Sequence, residues 1–259
     1  MSDFPHRVER TVTICAPIQT VFRYFTDCAR WASWWGQGST IDPQLGGKVY
    51  IRHPNGVETE GEVLEVDPPE RIVFTYGYAS GKPIPLDGSR VTIRLEADSQ
   101  GTRLHLLHEF REPVSAEEHV QGWRFQLSVF SNVVANEVHA ACGSVIDKWF
   151  AAWRVGDVEA RTKELTDLVA PAIQFWDRYS QLEGIGDVCD QISAYQRFMP
   201  DLLFERHGDV RHCQGTVLTD WIAVGADAKE KMSGTSVFRF APDGRIDSVI
   251  SFTNPTSGS

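Results

Sequence analysis

Hydrophobic and polar residues alternate along Arg7–Ile14, which is the pattern of a half-buried β-strand. The next segment, APIQTVFRYFTDCARWASWWG, changes to helical spacing that Gly36 ends. Short strand-like runs separated by turn signals follow. A long helical pattern then begins at Ser115, where Glu118 three places later predicts a capping box. This order predicts an antiparallel sheet with a long helix laid across it.

The pattern begins again after Val138. Two helical segments divided at Gly156 precede a strand-like run, AIQFWDRY, and a third helical segment that begins at Gly186. Three strand-like segments complete this half, namely VRHCQGTVLTDWIAVGA, KMSGTSVFRFAPDG and RIDSVISFTNP. We therefore expect an α+β protein with two domains, 1–138 and 139–259.

Both halves resemble known families. The motifs APIQTVFRYFTD, WW, GG, GEVLEVDPPERIVFTY, GTRLHLLHEF and HVQGW, between Arg7 and about Glu137, resemble in order and spacing the SRPBCC (START-like) domains of the activator-of-chaperone-ATPase subgroup. That resemblance implies a helix-grip fold. The motifs GD, FWD and FRFAPDGRIDSVISF, between Ser144 and Phe252, resemble the SnoaL-like group of the nuclear-transport-factor-two-like fold, which implies a cone-shaped α+β barrel with a curved antiparallel sheet.

Composition excludes several classes of partner and site. The formal net charge of -10 divides evenly, with 13 basic and 18 acidic residues up to Glu137 and 12 and 17 after it. We therefore expect neither nucleic acid nor an anionic membrane as a partner. Five cysteines without a C-x-x-C pair argue against a disulfide framework or a zinc ribbon. The start, MSDFPHRVER, shows no secretory signal, so we expect a cytoplasmic protein.

The chain has neither a phosphate-binding glycine motif nor a histidine-carboxylate spacing typical of a metal site. We therefore expect no cofactor and no metal, and the candidate chemistry is one that side chains in an apolar cavity can perform. Proton transfer by a side chain is chemistry of that kind.

In the first half, alternation along TRLHLLHEF places His108 on the same face as leucines, toward the space between sheet and helix. The expected partner of this pocket is a small hydrophobic or aromatic molecule. Alternatively, His108 is an interior histidine that hydrogen bonds hold in place and that contacts no ligand. Trp31 is expected in the core rather than in the pocket. The candidate ligand-binding residues are Trp34, Trp35, Phe74, Tyr76, His108 and Trp123.

In the second half, Asp177 lies in FWDRY, where Phe175, Trp176 and Tyr179 are expected to supply an aromatic setting. Ketosteroid isomerases share the resembled fold, and the resemblance implies a general-base role for this aspartate. The positions that match that family's tyrosine and acid carry Trp149 and Ser236 here, so its oxyanion hole is altered. The alternative is a plain strand-end carboxylate, solvated or paired with its neighbour Arg178.

His212 is a second candidate acid or base, because histidine–aspartate pairs serve in relatives of this fold. The candidate catalytic residues are therefore Asp177 and His212. The candidate ligand-binding residues around them are Trp149, Trp176, Tyr179 and Ser236.

Three functions are compatible with these patterns. The first is a cofactor-independent cyclase, dehydratase or isomerase of polyketide-like or steroid-like compounds that acts through Asp177. The second is a non-catalytic carrier or sensor of a hydrophobic ligand, with a possible homodimer formed through the sheet of the second domain. The third is a co-chaperone, which rests only on the name of the subgroup. Whether the protein is an enzyme stays open at this level.

Overall fold

The first sheet has seven strands in the order β1-β7-β6-β5-β4-β3-β2, and every neighbouring pair is antiparallel. The computed structural model describes residues 4–113 and 116–255, with the side chains of 116–118 left aside. The predicted capping pair, Ser115 and Glu118, lies outside the described residues. The elements of this unit are β1 (His6–Ile14), α1 (Ile18–Arg23), α2 (Cys28–Trp35), β2 (Thr40–Ile41), β3 (Lys48–Arg52), β4 (Glu58–Asp67), β5 (Arg71–Tyr78), β6 (Ser89–Asp98), β7 (Gly101–Phe110) and α3 (Ala116–Val138).

Alternation along the strands determines which face of this sheet is covered. Leu104, Leu106 and His108 on β7 are all buried, as the sequence pattern predicts. Helix α3 packs through side chains, since Phe130 contacts Phe25 with ring centroids 5.2 Å apart. The sheet and this long helix together form the predicted helix-grip arrangement.

The second sheet has six strands in the order β10-β11-β12-β13-β8-β9, and only β13 and β8 run parallel. Its core contains apolar side chains from both the sheet and the helices. The predicted α+β fold with two largely antiparallel sheets is confirmed. The elements of this unit are α4 (Cys142–Ala152), α5 (Val158–Leu168), β8 (Val169–Trp176), β9 (Gln181–Glu183), α6 (Gly184–Phe198), β10 (Leu203–Cys213), β11 (Thr216–Val224), β12 (Glu230–Phe240) and β13 (Ile246–Thr253).

The chain divides into two compact units, Met1–Ala135 and Asn136–Ser259, so the division falls inside the last turn of α3. The first predicted helical segment is in fact two helices, because Asp27 caps α2 by accepting a hydrogen bond from the Arg30 amide at 2.8 Å. The third helix begins at Gly184, two residues before the predicted start.

The segment VRHCQGTVLTDWIAVGA forms two strands rather than one. Gln214 and Gly215 both have positive φ, 49° and 84°, and they form the two-residue loop between β10 and β11. The sequence prediction missed this hairpin because Gln-Gly lacks the asparagine or aspartate that usually marks such a turn.

Among the described residues, no helix combines the length and apolar character that a membrane crossing requires. The cytoplasmic location stays a prediction.

Candidate functional site

The tryptophan-rich helix α2 forms one wall of a cavity in the first unit, but only one of its three indoles lines that cavity. Trp31 is fully buried and packs on Phe74 with ring centroids 5.8 Å apart. Trp34 stacks on Trp35 at 4.3 Å and on Phe130 at 4.7 Å. Trp31 is therefore a core residue as expected, whereas Trp34 and Phe74 lie behind the wall rather than in it.

This cavity has a volume of about 420 Å³. Side chains from α2, the turn after β3, strands β5 and β7, and helix α3 surround it. Phe125, which also lines the cavity, is 68% exposed to solvent. The lining residues are Trp35, His53, Pro54, Asn55, Tyr76, Tyr78, His108, His119, Gly122, Trp123, Phe125 and Gln126.

Hydrogen bonds occupy both ring nitrogens of His108. Trp123 donates its indole N–H to Nδ1 of His108 at 3.0 Å, so this histidine carries its proton on Nε2. The Nε2–H then donates to Ser89 Oγ at 2.8 Å, and Ser89 donates to the Tyr76 carbonyl at 2.5 Å. His108 is thus a fixed neutral part of the wall, and it has no free nitrogen for proton transfer.

His53 also lines this cavity, although no sequence pattern predicts it. The Tyr76 hydroxyl lies 3.5 Å from Nε2 of His53, and the His53 ring meets the edge of Trp35 with centroids 5.7 Å apart. Burial lowers the pKa of His53 and raises the pKa of Tyr76. Both groups are therefore neutral at physiological pH. Because His53 comes from a turn after a strand, no periodic pattern could have pointed to it.

We expect the stability of the first unit to fall as the pH is lowered, because burial holds the pKa of His108 well below its usual value, with the nearby His119 adding to the effect. Below the ordinary histidine pKa of ~6.5 the unfolded chain binds a proton that the folded chain refuses. The loss should approach about 1.4 kcal/mol per pH unit for this group. Urea unfolding between about pH 7.5 and 5.5 measures it.

The matched comparison uses two glutamine variants on the same strand. His108→Gln should reduce the pH dependence, whereas His105→Gln should preserve it, because His105 lies on the opposite face with 37% of its side chain exposed. Equal pH dependence in the wild type and His108→Gln would contradict the assignment.

The second unit encloses a much smaller cavity, of about 40 Å³. Asp177 follows directly after β8 and is the one carboxylate among the described residues that line this cavity. Trp149 and Ser236 reach the same cavity, as expected. Its lining residues are Trp149, Phe150, Trp153, Phe175, Asp177, Tyr195, Phe204, Trp221, Met232, Ser236, Val249, Ser251 and Thr253.

The Asp177 carboxylate has two partners. Its Oδ1 accepts the backbone N–H of Tyr179 at 2.8 Å, and its Oδ2 accepts the Tyr195 hydroxyl at 3.3 Å. Burial and the charge of Asp177 raise the pKa of Tyr195 to about 12, so its hydroxyl stays protonated. The aspartate is therefore held in a turn and aimed at an aromatic cavity, with a neutral donor beside it.

Two indole N–H groups in this cavity have no hydrogen-bond partner among the described residues. Both Trp153 Nε1 and Trp221 Nε1 are buried. A buried donor without an acceptor costs about 1–3 kcal/mol. Both nitrogens are closed off from the open space of the cavity, so the group that the cavity offers to a bound molecule is the Asp177 carboxylate, with the Tyr195 hydroxyl beside it.

Three predicted residues lie outside this cavity. Tyr179 is 76% exposed, and Trp176 lines a second cleft that Asp177 and Arg178 also line, so neither Tyr179 nor Trp176 contributes to the small cavity. Of the three aromatic residues expected around Asp177, Phe175 is the one that lines the small cavity. His212 is at the end of β10, where Nε2 accepts the Gly215 amide and Nδ1 meets Asn136 Oδ1 at 2.6 Å. The structure does not bring His212 to the cavity of Asp177.

Comparison with known families agrees with this division of the chain. Residues 15–135 match the family described as Activator of Hsp90 ATPase homolog 1-like protein, and residues 146–249 match the SnoaL-like domain. The chain carries an activator-of-Hsp90-ATPase-like domain followed by a SnoaL-like domain. Both predicted resemblances are therefore confirmed. No curated protein matches the chain.

Solved structures resemble parts of the chain. A protein of the SnoaL-like family from Agrobacterium tumefaciens strain C58 is 24% identical, with a TM-score of 0.42 over 43% of this chain and 96% of its own. MLL2253 from Mesorhizobium loti is 21% identical, with a TM-score of 0.45 over 50% and 96%. CalU16 from Micromonospora echinospora is 26% identical, with a TM-score of 0.40 over 51% and 76%.

Proposed function

We propose that the activator-of-Hsp90-ATPase-like domain binds a small hydrophobic or aromatic molecule. The observation that carries this proposal is its cavity of about 420 Å³ walled by aromatic rings. Ligand pockets in proteins are ~300–1,000 Å³ with mostly apolar walls and few polar groups. Because hydrogen bonds occupy both nitrogens of His108, this histidine orders the wall and is not suited to proton transfer. The co-chaperone hypothesis gains no support from these side chains.

Filling the cavity should abolish binding of a neutral fluorescent probe, N-phenyl-1-naphthylamine. Gly122 lines the cavity, and a Cβ added there would meet nothing within 4 Å, so Gly122→Leu should project into the cavity without strain. We expect at least a roughly tenfold loss of affinity, because the added side chain occupies volume that the ligand needs. Fluorescence titration measures the affinity, and native mass spectrometry of freshly purified protein looks for a resident ligand.

Gly186→Leu is the matched control, since it is also a helical glycine with open space around its Cβ, but in the SnoaL-like domain. It should bind the probe as the wild type does. An unchanged affinity in Gly122→Leu, or a wild-type protein that takes up no probe, would overturn the binding proposal.

A second function is favoured for the SnoaL-like domain by the position of the Asp177 carboxylate in a cavity walled by aromatic rings. We propose a cofactor-independent cyclase, dehydratase or isomerase chemistry in which Asp177 moves a proton of the bound molecule. The cavity admits only a small reacting group as it stands, about 40 Å³. Larger polyketide-like or steroid-like substrates require a side chain to move, and Met232, with its flexible thioether, is the side chain best suited to do so.

We also propose that the SnoaL-like domain pairs with a second copy through the outer face of its sheet. Leu218, Val237, Ile250 and Trp176 are directly opposite one another on four neighbouring strands. Residues next to them in sequence point to the inner face and are buried. This apolar row therefore faces away from the core, and Ile250 is 39% exposed. A continuous apolar row on a sheet surface is the kind of patch that a partner covers.

Ile250→Asp should convert a dimer into a monomer of 29.1 kDa, because it puts a charge in the middle of that row. Light scattering coupled to size exclusion measures the mass. Leu45→Asp is the matched control, an exposed apolar residue of the other domain, and should leave the mass unchanged. A monomeric wild type would contradict the pairing, as would a dimeric Ile250→Asp.

A further inference from the structure

Gln126 places a polar amide in the aromatic wall of the larger cavity, in the activator-of-Hsp90-ATPase-like domain. The residue is on α3, lines the cavity and is 8% exposed. Its Nε2 donates to the backbone carbonyl of Trp34. Because a carbonyl oxygen only accepts hydrogen bonds, this contact determines which end of the amide is nitrogen and which is oxygen. The Oε1 atom is therefore the end that does not face Trp34.

The Oε1 atom of Gln126 is an acceptor that the described part of the chain does not use. No described residue donates a hydrogen bond to it. It is also not among the buried polar atoms that are closed off from open space, which distinguishes it from Nε1 of Trp35 in the same wall. Because the residue is otherwise buried and lines the cavity, the space open to Oε1 is the cavity itself.

Two other polar groups of the wall are engaged within the protein. Trp123 gives its N–H to Nδ1 of His108 at 3.0 Å. The Oδ1 atom of Asn55 accepts the Val57 amide at 3.1 Å. Unlike these groups, Oε1 of Gln126 forms a hydrogen bond with a ligand without giving up one inside the protein.

Gln126 is next to the rings against which an aromatic ligand packs. Trp123 is three residues earlier on α3 and therefore lies on the same helix face. The rings of Trp35 and Trp123 are 5.6 Å apart between centroids, and the bond from Gln126 to the Trp34 carbonyl holds the amide beside them. A ligand ring packed there brings a substituent on its edge towards the amide oxygen.

An open amide oxygen discriminates between ligands by the kind of polar group that they carry. A ligand hydroxyl gives up hydrogen bonds to water when it enters the cavity, and it regains one by donating to Oε1. An ether oxygen also gives up its hydration, but it has no hydrogen to donate to another acceptor. The cavity should therefore favour a donor over an acceptor at this position.

We propose that the ligand of this cavity is an aromatic compound with a hydroxyl group on its ring, and that this hydroxyl donates a hydrogen bond to Gln126 Oε1. This inference rests on the proposed binding function. It adds the polar group of the ligand and the residue that recognises it.

Three naphthalenes test the requirement for a donor: 2-naphthol, 2-methoxynaphthalene and 2-ethylnaphthalene. Competition with N-phenyl-1-naphthylamine gives their affinities, once the affinity of the probe itself is known for each protein. We expect 2-naphthol to bind more tightly than 2-methoxynaphthalene, although the ether is the more apolar of the two. The hydrocarbon matches the ether in shape and should bind, which shows that a group of that size fits.

Gln126→Met has a side chain of similar length but no amide. It should shift the ratio of the two affinities by roughly tenfold in favour of the ether, because the hydroxyl loses its acceptor. Gln121→Met is the matched control, since Gln121 is an exposed glutamine of the same helix that does not line the cavity and whose Oε1 accepts from Arg124 at 3.2 Å. It should keep the wild-type ratio.

The outcomes separate this inference from the binding function. If none of the three compounds displaces the probe, the binding function is wrong and the inference falls with it. If they bind but the ether equals or exceeds 2-naphthol, or if the wild type excludes the hydrocarbon, the requirement for a donor is wrong. If Gln126→Met, folded by circular dichroism, keeps the wild-type ratio, the hydroxyl is assigned to the wrong acceptor. Should that variant not fold, the three compounds on the wild type decide.

Discussion

Replacing Arg161 with methionine is expected to lower the free energy of unfolding of the SnoaL-like domain by about 3 kcal/mol. Arg161 is on α5 and is fully buried. Its Nη1 donates to the Val155 carbonyl at 3.0 Å and to Gln196 Oε1 at 3.1 Å. Its Nη2 donates to the Cys189 carbonyl at 3.1 Å and to Ser193 Oγ.

The expected loss of stability comes from the hydrogen bonds that the substitution removes. The guanidinium joins α5 to the end of α4 and to α6, and no carboxylate accepts from it among the described residues. Methionine fills much of the volume and removes the cost of burying a charge. It also removes four hydrogen bonds that a charged donor makes and leaves Gln196 Oε1 without its donor; hydrogen bonds to charged groups contribute about 1.5–3 kcal/mol each, so this loss outweighs the gain. Arg161→Lys should also destabilise the domain, because an ammonium lacks the planar fork that bridges these groups.

Chemical denaturation of the full chain, followed by circular dichroism, measures the loss. Arg154→Met is the matched control: its ion pair with Glu205 is 3.1 Å long, and 42% of the arginine side chain is exposed. Such a surface pair contributes about 0–1 kcal/mol. An Arg161→Met protein as stable as Arg154→Met would show that the buried guanidinium is not a structural bridge.

Asp177→Asn is expected to reduce proton-transfer activity by at least about 100-fold, the lower end of the effect of general acid–base catalysis. The probe is cyclohex-3-enone, a ketone that isomerises to the conjugated enone and whose ring enters the cavity of about 40 Å³ when the Met232 side chain moves. In the proposed reaction the Asp177 carboxylate takes a proton from C2, and the electron pair moves onto the oxygen. Protonated Asp177 then delivers the proton to C4 while the electron pair returns from the oxygen, which re-forms the carbonyl and gives the conjugated enone.

Absorption of the conjugated enone follows this reaction. Asparagine keeps the shape of the side chain and can still accept the Tyr179 amide, so the fold should survive. Arg178→Gln is the matched control, a neighbouring exposed residue outside the small cavity, and should retain activity. Turnover by Asp177→Asn at more than about a tenth of the wild-type rate would reject the general-base role, as would a wild type that leaves the ketone unchanged.

Periodicity along single strands predicted more of the candidate sites than motif spacing did. Alternation on β7 placed His108 on the inner face, and the same reasoning placed Tyr76 on β5. It could not show that Trp123 and Ser89 would occupy both nitrogens of His108, because those partners come from elements distant in sequence. A catalytic histidine and a histidine that only orders a wall have the same local pattern.

Helical spacing placed the three tryptophans of α2 on one broad side, and all three are indeed buried. Only packing against α3 and the strands decided which of them reaches the cavity, so Trp35 lines it while Trp34 is covered by Phe130. Similarly, Trp176 and Phe175 are adjacent in sequence but face opposite sides of the sheet. The aromatic setting of Asp177 therefore comes from Phe175 and from residues of other elements.

The sequence by itself determined the fold class, the two domains' family resemblances and the faces of most strands, since periodicity and turn residues act over short distances along the chain. Tertiary structure alone decided the volumes of the two cavities, about 420 and 40 Å³, and the contribution of His53 and Tyr195 to them. It also decided which polar groups are satisfied, as where Trp123 and Ser89 hold both nitrogens of His108. Those properties depend on distances between side chains far apart in sequence, which no local pattern encodes.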